Sequence, residues 1–160
     1  MRLVIIVRLL LSLVLALKSS YYSLDDETKE QIPTEIKAWC VEMDVETFRF
    51  FSSVVEAESN RGPGLEGRTL IALTILNRVD SSNWPNTIEE VIKQSGQFQV
   101  YYEGTYKVVG GSDLSDLAIM EAVKWAEEEH PNVIYFNSIG YFPGHTPYKY
   151  VDGNYFSLGG

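Results

Sequence analysis

The stretch from Leu65 to Val79 is the feature that most restricts how this chain can fold. Its apolar residues fall on almost every side of a helix, at Leu70, Leu73, Ile75, Leu76 and Val79. A helix that is apolar all round has to be buried. The chain has 160 residues, 45% of them apolar and 22% charged, so it can form one domain with a core of its own. We therefore predict an ordinary folded domain built over a buried helix.

Helical patterns dominate the first two thirds of this domain, and strand-like patterns dominate its end. Helices are predicted over Val45–Asn60, Leu65–Val79 and Asp113–Glu129, with a short helix opened by a capping box at Thr87–Glu90. A hairpin is predicted over Phe98–Val109, and strands over Val133–Asn137, Tyr148–Val151 and Tyr155–Leu158. This order predicts an α+β fold that is helix-rich, with a small antiparallel β region toward the C-terminus.

The beginning of the chain has the layout of a secretory signal peptide. Arg2 and Arg8 precede or adjoin a nine-residue apolar run, Leu9–Leu17, which contains a suitable cleavage site at Ala16. This run is shorter than the roughly 20 residues that a membrane span needs. We predict a signal peptide, or alternatively an uncleaved N-terminal anchor, over residues 1–20. A polar linker over residues 21–33 and one domain over 34–160 are predicted to follow.

Charge and composition exclude several classes of function. With 13 basic and 22 acidic residues the net charge is −9, which argues against nucleic acid as a partner. Two histidines, His130 and His145, and a single cysteine, Cys40, do not have the spacing of a zinc site. They also disfavour a Ser-His-Asp or Cys-His hydrolase. We expect neither a metal nor a cofactor.

Glu58 is the strongest candidate for chemistry. It continues an apolar helical stripe formed by Phe48, Phe51 and Val55. On that side of the helix it should face the core or a cleft, where burial raises the pKa of a carboxyl group. A carboxyl group that keeps its proton near neutral pH can protonate a glycosidic oxygen. The alternative interpretation is a partly exposed charge at a helix end, beside Arg61.

The polar and aromatic residues of the domain fit a glycan as ligand. There are 10 tyrosines, many in the strand-like segments, and their rings suit both core packing and the apolar faces of sugars. Gln97, Asn137 and Asn154 offer hydrogen bonds to acetamido or hydroxyl groups. Together with Glu58, these residues favour a groove that binds a glycan.

Seven short motifs follow one another through the domain. They are Val55-Glu56-Ala57-Glu58 before a Gly62-Pro63 turn, Glu66-Gly67, Ile75-Leu76-Asn77-Arg78-Val79, Trp84-Pro85-Asn86-Thr87-Ile88, Gly96-Gln97-Phe98, Tyr135-Phe136-Asn137 and Gly153-Asn154-Tyr155-Phe156. In this order and spacing, which cover about residues 51–156, the chain resembles the SleB-type cell-wall hydrolases, the spore-cortex-lytic group.

The resemblance implies a lysozyme-like α+β fold and the cleavage of peptidoglycan glycan strands by a lytic transglycosylase. It also places the family glutamate on Glu58. Glu56 is the rival position, because Ser59 stands where alanine is usual and one residue is inserted before Glu66. The helical stripe favours Glu58, and leaves Glu56 about 200° away and solvated. We predict that the glycan strand contacts Gln97, Phe98, Tyr135, Asn137 and Asn154.

Two other functions remain open at this stage. A muramidase would use water as nucleophile and a second carboxylate, for which Asp152 is the candidate. A non-catalytic peptidoglycan-binding module is the other alternative, motivated by the departure at Ser59. We expect the protein to be secreted or associated with the cell wall. The sequence contains no wall-binding repeat, so targeting is intrinsic or depends on an accessory wall-targeting protein.

Overall fold

A computed structural model describes residues 45–59, 64–126 and 130–159 of the chain. Six helices lie in these ranges: α1 (Val45–Glu58), α2 (Leu65–Asp80), α3 (Ile88–Ile92), α4 (Gln99–Tyr102), α5 (Thr105–Val109) and α6 (Asp113–Ala126). Three strands follow: β1 (Val133–Asn137), β2 (Pro147–Val151) and β3 (Asn154–Leu158). The signal peptide and linker predicted over residues 1–33 lie outside the described residues. No helix within those residues is long and apolar enough to cross a membrane.

Residues 51–160 form one compact unit. All of the elements after α1 belong to this unit, and helix α2 packs against several of them. It contacts α3, α6 and β1, and every residue from Gly67 to Ile75 is buried. The predicted burial of this helix is therefore confirmed, and the helix ends one residue later than expected, at Asp80.

The three strands form an antiparallel sheet in the order β1-β3-β2. Asp152 and Gly153, both with positive φ angles (51° and 84°), form the two-residue turn that joins β2 to β3. In the register Phe136 lies opposite Phe156, and their rings pack with centroids 5.8 Å apart. The predicted antiparallel β region near the C-terminus is confirmed.

The hairpin predicted over Phe98–Val109 is wrong. The segment instead forms the two short helices α4 and α5, separated by Gly104 in the left-handed conformation (φ 72°). The valines and tyrosines that favour a strand are a weak guide, because packing overrides intrinsic preference. Here two helical turns bring Tyr101 and Tyr106 into a stacked contact, with ring centroids 5.7 Å apart.

The C-terminal end of α2 is tied to β1 by two polar side chains. Asn77 donates a hydrogen bond to the carbonyl oxygen of Val133 (2.9 Å), and Arg78 Nε donates to that of Ile134 (2.8 Å). The guanidinium group of Arg78 lies over the Trp84 ring, 4.1 Å from its centroid. Burial lowers the pKa of Arg78 to about 10, so it remains charged at neutral pH, stabilised by aromatic faces.

A pair of isoleucines tests whether α2 is the stabilising core. Ile75 is fully buried and Ile139 is 89% exposed. We expect Ile75→Ala to lower the free energy of unfolding by about 3 kcal/mol, because it removes buried methyl groups and leaves a cavity. Ile139→Ala should change it by less than about 0.5 kcal/mol. Denaturant unfolding of the two variants measures the difference, and equal effects would contradict the assignment.

Candidate active site

A cleft of about 520 Å³ opens at the C-terminal end of α1. It lies between the 97–105 segment and the neighbouring ends of β1 and β3. Eight of the eleven residues that line it are polar: Glu58, Gln97, Gln99, Glu103, Thr105, Asn137, Ser138 and Asn154. The others are Ala57, Val100 and Phe136. Such a lining offers many hydrogen-bonding groups and a little apolar surface, which suits a ligand rich in hydroxyl and amide groups.

Glu58 is the last residue of α1 and lines this cleft. Its Oε1 atom is shielded from solvent, while the residue as a whole is half-buried. Phe51 and Val55, which precede it on the same side of the helix, are fully buried. The prediction that Glu58 faces a cleft is confirmed. Its role as a proton donor remains a prediction.

The structure brings three of the five predicted glycan-binding residues together with Glu58. Gln97, Asn137 and Asn154 all line the cleft. Gln97 and Asn137 are exposed, whereas Asn154 is only 5% exposed and lies at the inner wall. Their position agrees with the prediction, and their contact with a sugar remains to be tested.

The prediction of sugar contact is wrong for Phe98, because its side chain is fully buried. Its ring packs against that of Phe136, with centroids 6.0 Å apart, and so supports the wall of the cleft from below. Tyr135 does not line the cleft either. It stacks on Phe142, with centroids 4.1 Å apart and planes within 10°, and therefore helps to hold the loop after β1.

Glu103 is a second carboxylate in the cleft that the sequence analysis did not identify. It follows α4 directly and is exposed. Gln99 donates a hydrogen bond to it through Nε2, as expected for residues four apart on a helical turn. The hairpin prediction put Glu103 in a turn. A helical interpretation of the same segment would have placed it on one face with Gln99.

The prediction that Glu56 is solvated is wrong, because the side chain is paired with Arg68. Arg68 donates to it through Nη2 (2.8 Å) and Nε (3.1 Å). The side chains of Arg68 and Glu56 are only 8% and 19% exposed. Arg68 also donates to the carbonyl oxygen of Gly64 (3.0 Å). Ser112, just before α6, donates its hydroxyl proton to Glu56. The ion pair thus joins α1 to the start of α2, and the hydrogen bond from Ser112 links both to the start of α6.

This ion pair gives the two candidate glutamates different surroundings. The hydrogen bonds from Arg68, supported by that from Ser112, lower the pKa of Glu56 below its ordinary 4.5. A carboxylate that is held ionised by a guanidinium group is a poor proton donor near neutral pH. The geometry therefore gives Glu56 a structural role, and Glu58 remains the predicted acid.

Ser59, the residue that departs from the family pattern, is accommodated without an unsatisfied polar group. It is buried (4% exposed), and its hydroxyl donates to the carbonyl oxygen of Val55 (2.6 Å). A serine that bonds back to the preceding helical turn occupies little more space than an alanine. The departure therefore gives no reason to regard the cleft as inactive.

Asp152, the second carboxylate considered for a hydrolase, has a structural role. It is not among the residues that line the cleft. Its Oδ2 accepts a hydrogen bond from the backbone N–H of Gly67 in the first turn of α2 (3.1 Å), where a negative charge is favoured. A Cβ atom at Gly67 would lie 2.5 Å from this carboxylate oxygen. Glycine is thus needed for the close approach.

A comparison with protein families now adds to this geometry. The model of the cell wall hydrolases matches residues 62–151, more than half of the chain. The chain belongs to the cell wall hydrolase family. It is accordingly a peptidoglycan-cleaving enzyme. Glu58 precedes the matched range by four residues, so its assignment rests on the geometry of the cleft.

Two solved structures are similar to this cell wall hydrolase. The catalytic domain of the germination-specific lytic transglycosylase SleB from Bacillus anthracis is 20% identical with a TM-score of 0.61, covering 73% of this chain and 98% of that one. The catalytic domain of the Bacillus cereus SleB protein is 22% identical with a TM-score of 0.57, covering 69% and 88%. The likeness confirms the lysozyme-like α+β fold. No curated protein sequence matches the chain.

The Glu56–Arg68 pair makes a testable contribution to stability. Glu56→Gln should lower the free energy of unfolding by about 2 kcal/mol at neutral pH, because it leaves Arg68 half-paired inside the fold. The folded-state pKa of Glu56 lies below 4.5. The loss in free energy of unfolding caused by Glu56→Gln should therefore be complete at pH values above 4.5. It should shrink as the pH falls through the lowered pKa of Glu56.

Denaturant unfolding at about pH 7 and about pH 3 measures this dependence. Glu89→Gln is the matched control, because Glu89 forms an exposed pair with Lys93 and should have little effect at either pH. A Glu56→Gln effect that is the same at both pH values would contradict the account.

Proposed function

We propose that this cell wall hydrolase is a lytic transglycosylase that cuts the bond between N-acetylmuramic acid and N-acetylglucosamine. The observation that carries the proposal is the position of Glu58. It is a half-buried carboxyl group, with one oxygen shielded from solvent, in a cleft otherwise lined mainly by amides and hydroxyls. Such a group can act first as an acid and then as a base on one bound sugar.

In the proposed reaction Glu58 donates its proton to the glycosidic oxygen, and the bond from that oxygen to C1 of N-acetylmuramic acid breaks. The 6-hydroxyl of the same muramyl residue then attacks C1 and closes a 1,6-anhydro ring. The Glu58 carboxylate takes the proton that this hydroxyl loses, which restores the acid. Because the nucleophile is internal, neither water nor a second carboxylate is needed.

Glu103 favours a second candidate function, a muramidase. It is a carboxylate in the same cleft, and an inverting or retaining glycosidase needs two such groups. In that reaction Glu103 would activate water or form the covalent intermediate, while Glu58 would still be the acid. Its hydrogen bond from Gln99 equally suits a residue that only binds the sugar.

The similarity to a germination-specific lytic transglycosylase makes spore-cortex peptidoglycan the first substrate to test. We propose that the enzyme acts outside the cytoplasm, where this polymer lies. The signal peptide predicted over residues 1–20 is the sequence feature that favours export. An accessory wall-targeting protein also remains a prediction.

The mass of the reaction products separates the candidate functions. We expect wild-type protein to release 1,6-anhydro muropeptides, which are lighter by one water than the products of hydrolysis. Glu58→Gln should reduce the rate by at least about 100-fold, since it removes the only acid in the proposed step. Glu103→Gln should reduce it by less than about 10-fold and leave the anhydro products unchanged.

Mass spectrometry of digested peptidoglycan gives both readouts, with Glu89→Gln as a surface control. If wild type releases products of hydrolysis, and both Glu58→Gln and Glu103→Gln abolish their release, the result would contradict a transglycosylase and support a muramidase. Equal clearing by wild type and Glu58→Gln would contradict catalysis by Glu58. No clearing by either, with binding retained, would support a non-catalytic binding module.

A further inference from the structure

Three tyrosines form a cluster on the outer face of the sheet. Tyr155 of β3 contacts Tyr150 of β2, with ring centroids 4.4 Å apart, and Tyr141 of the β1–β2 loop, at 5.1 Å. Tyr150 is 56% exposed and Tyr141 is 39% exposed. Large aromatic side chains that are this exposed and grouped together indicate a surface that binds something.

The cluster adjoins the cleft directly. In the sheet register Tyr155 lies opposite Asn137 on one side and opposite Tyr150 on the other. Cross-strand partners point to the same face and lie about 5 Å apart at Cα. Asn137 lines the cleft, and so does Asn154, which precedes Tyr155 in the chain. The cluster therefore lies directly beside Asn137 and Asn154, the cleft residues that belong to β1 and β3.

The other half of the same face is already covered by the chain itself. Phe142 stacks on Tyr135, and its backbone N–H donates to the hydroxyl of Ser157 (3.0 Å). His145 packs against the same Tyr135 ring, with centroids 4.5 Å apart. The loop after β1 thus covers the aromatic surface near Tyr135 and leaves the cluster of Tyr141, Tyr150 and Tyr155 open beside the cleft.

We propose that Tyr141, Tyr150 and Tyr155 form a platform for the glycan strand, on which a sugar that lies beyond the cleft stacks. The class of ligand rests on the proposed function. Continuity with the cleft argues for this occupant, because a polymer bound across Glu58 and Asn137 has to leave the cleft somewhere. Tyrosine rings bind the apolar face of a sugar while their hydroxyls bond to its edge.

Charge also favours an uncharged part of the substrate at this platform. Lys149, the one cationic side chain in β2, is paired with Glu66 of α2. The two asparagines that join the platform to the cleft are neutral, and the platform itself is made of neutral rings. An acidic stem peptide or an anionic wall polymer would find little to pair with here. The sugar backbone of the strand is complementary to rings and amides alone.

The platform lies outside the cleft that contains Glu58, so it contributes to binding and not to the chemical step. Substitutions there should raise KM for long strands and leave kcat unchanged. Short substrates that fill only the cleft should be unaffected. This length dependence separates a platform from a general effect on the fold.

The test measures the affinity of the Glu58→Gln variant for two peptide-free glycan fragments, a hexasaccharide and a disaccharide. In this background we expect Tyr150→Ala and Tyr141→Ala each to weaken hexasaccharide binding about fivefold, with disaccharide binding unchanged. Tyr150→Phe should weaken binding less than Tyr150→Ala does, because it keeps the ring and loses only the hydroxyl. Tyr148→Ala is the matched control, since Tyr148 lies in the same strand, is 41% exposed and is outside the cluster.

Hexasaccharide binding that is unchanged in both alanine variants would overturn the platform, as would an equal loss in Tyr148→Ala. An equal loss for the disaccharide would overturn it too, because the rings would then belong to the cleft. These readouts do not need catalysis. If Glu58→Gln proves fully active, the proposed mechanism fails, and the platform is then tested by the KM of the tyrosine variants for long and short strands. If Glu58 is essential and the tyrosines have no effect, only the platform fails.

Discussion

The burial of α2 on all sides is the constraint on which the rest of the structure depends. A helix without a solvent-exposed face has to find partners inside the fold for each of its polar side chains. Near its start Arg68 bonds to Glu56 of α1. At its end Asn77 and Arg78 bond to carbonyl groups of β1. The helix thereby fixes the last turn of α1, which carries Glu58, and β1, which contributes Phe136 and Asn137 to the lining of the cleft.

This arrangement puts two glutamates of one helix in opposite environments. Glu56 and Glu58 are two residues apart, and so about 200° apart around α1. One side meets Arg68, which keeps Glu56 ionised and part of the scaffold. The other side ends in the cleft, where Glu58 stands among amides and hydroxyls. The ion pair holds the last turn of α1 in place, and that turn is where the proposed acid needs a constant position.

The parts of the structure that could be predicted from the sequence are those in which local pattern and burial agree. The apolar periodicity of α2 and the stripe that ends at Glu58 indicated which sides are buried, and both agree with the structure. Strands were also predicted over Tyr148–Val151 and Tyr155–Leu158, and the two residues between β2 and β3, Asp152 and Gly153, form a turn for a reason of backbone geometry. Gln97, Asn137 and Asn154 were found from their chemistry and from a family resemblance, and the fold brings them together.

The parts that could not be predicted depend on contacts between distant residues. Nothing near Glu56 in the sequence indicates that Arg68, twelve residues later, closes on it. The segment from 98 to 109 has residues that favour strands, and ring packing between two short helices decided otherwise. That error concealed Glu103 as a member of the cleft. In the Gly96-Gln97-Phe98 motif, Phe98 could equally be a ligand contact or a buried residue that supports the cleft. Only its burial in the structure distinguishes these two roles.

The account depends most on the claim that Glu58 meets the bond to be cut. An experimental structure of the Glu58→Gln variant with a peptide-free glycan fragment tests this claim most directly. We predict that the fragment lies across the cleft, with the side chain of residue 58 within hydrogen-bonding distance, about 3 Å, of a glycosidic oxygen. A fragment bound elsewhere, or one that places Glu103 and not residue 58 at that oxygen, would contradict it.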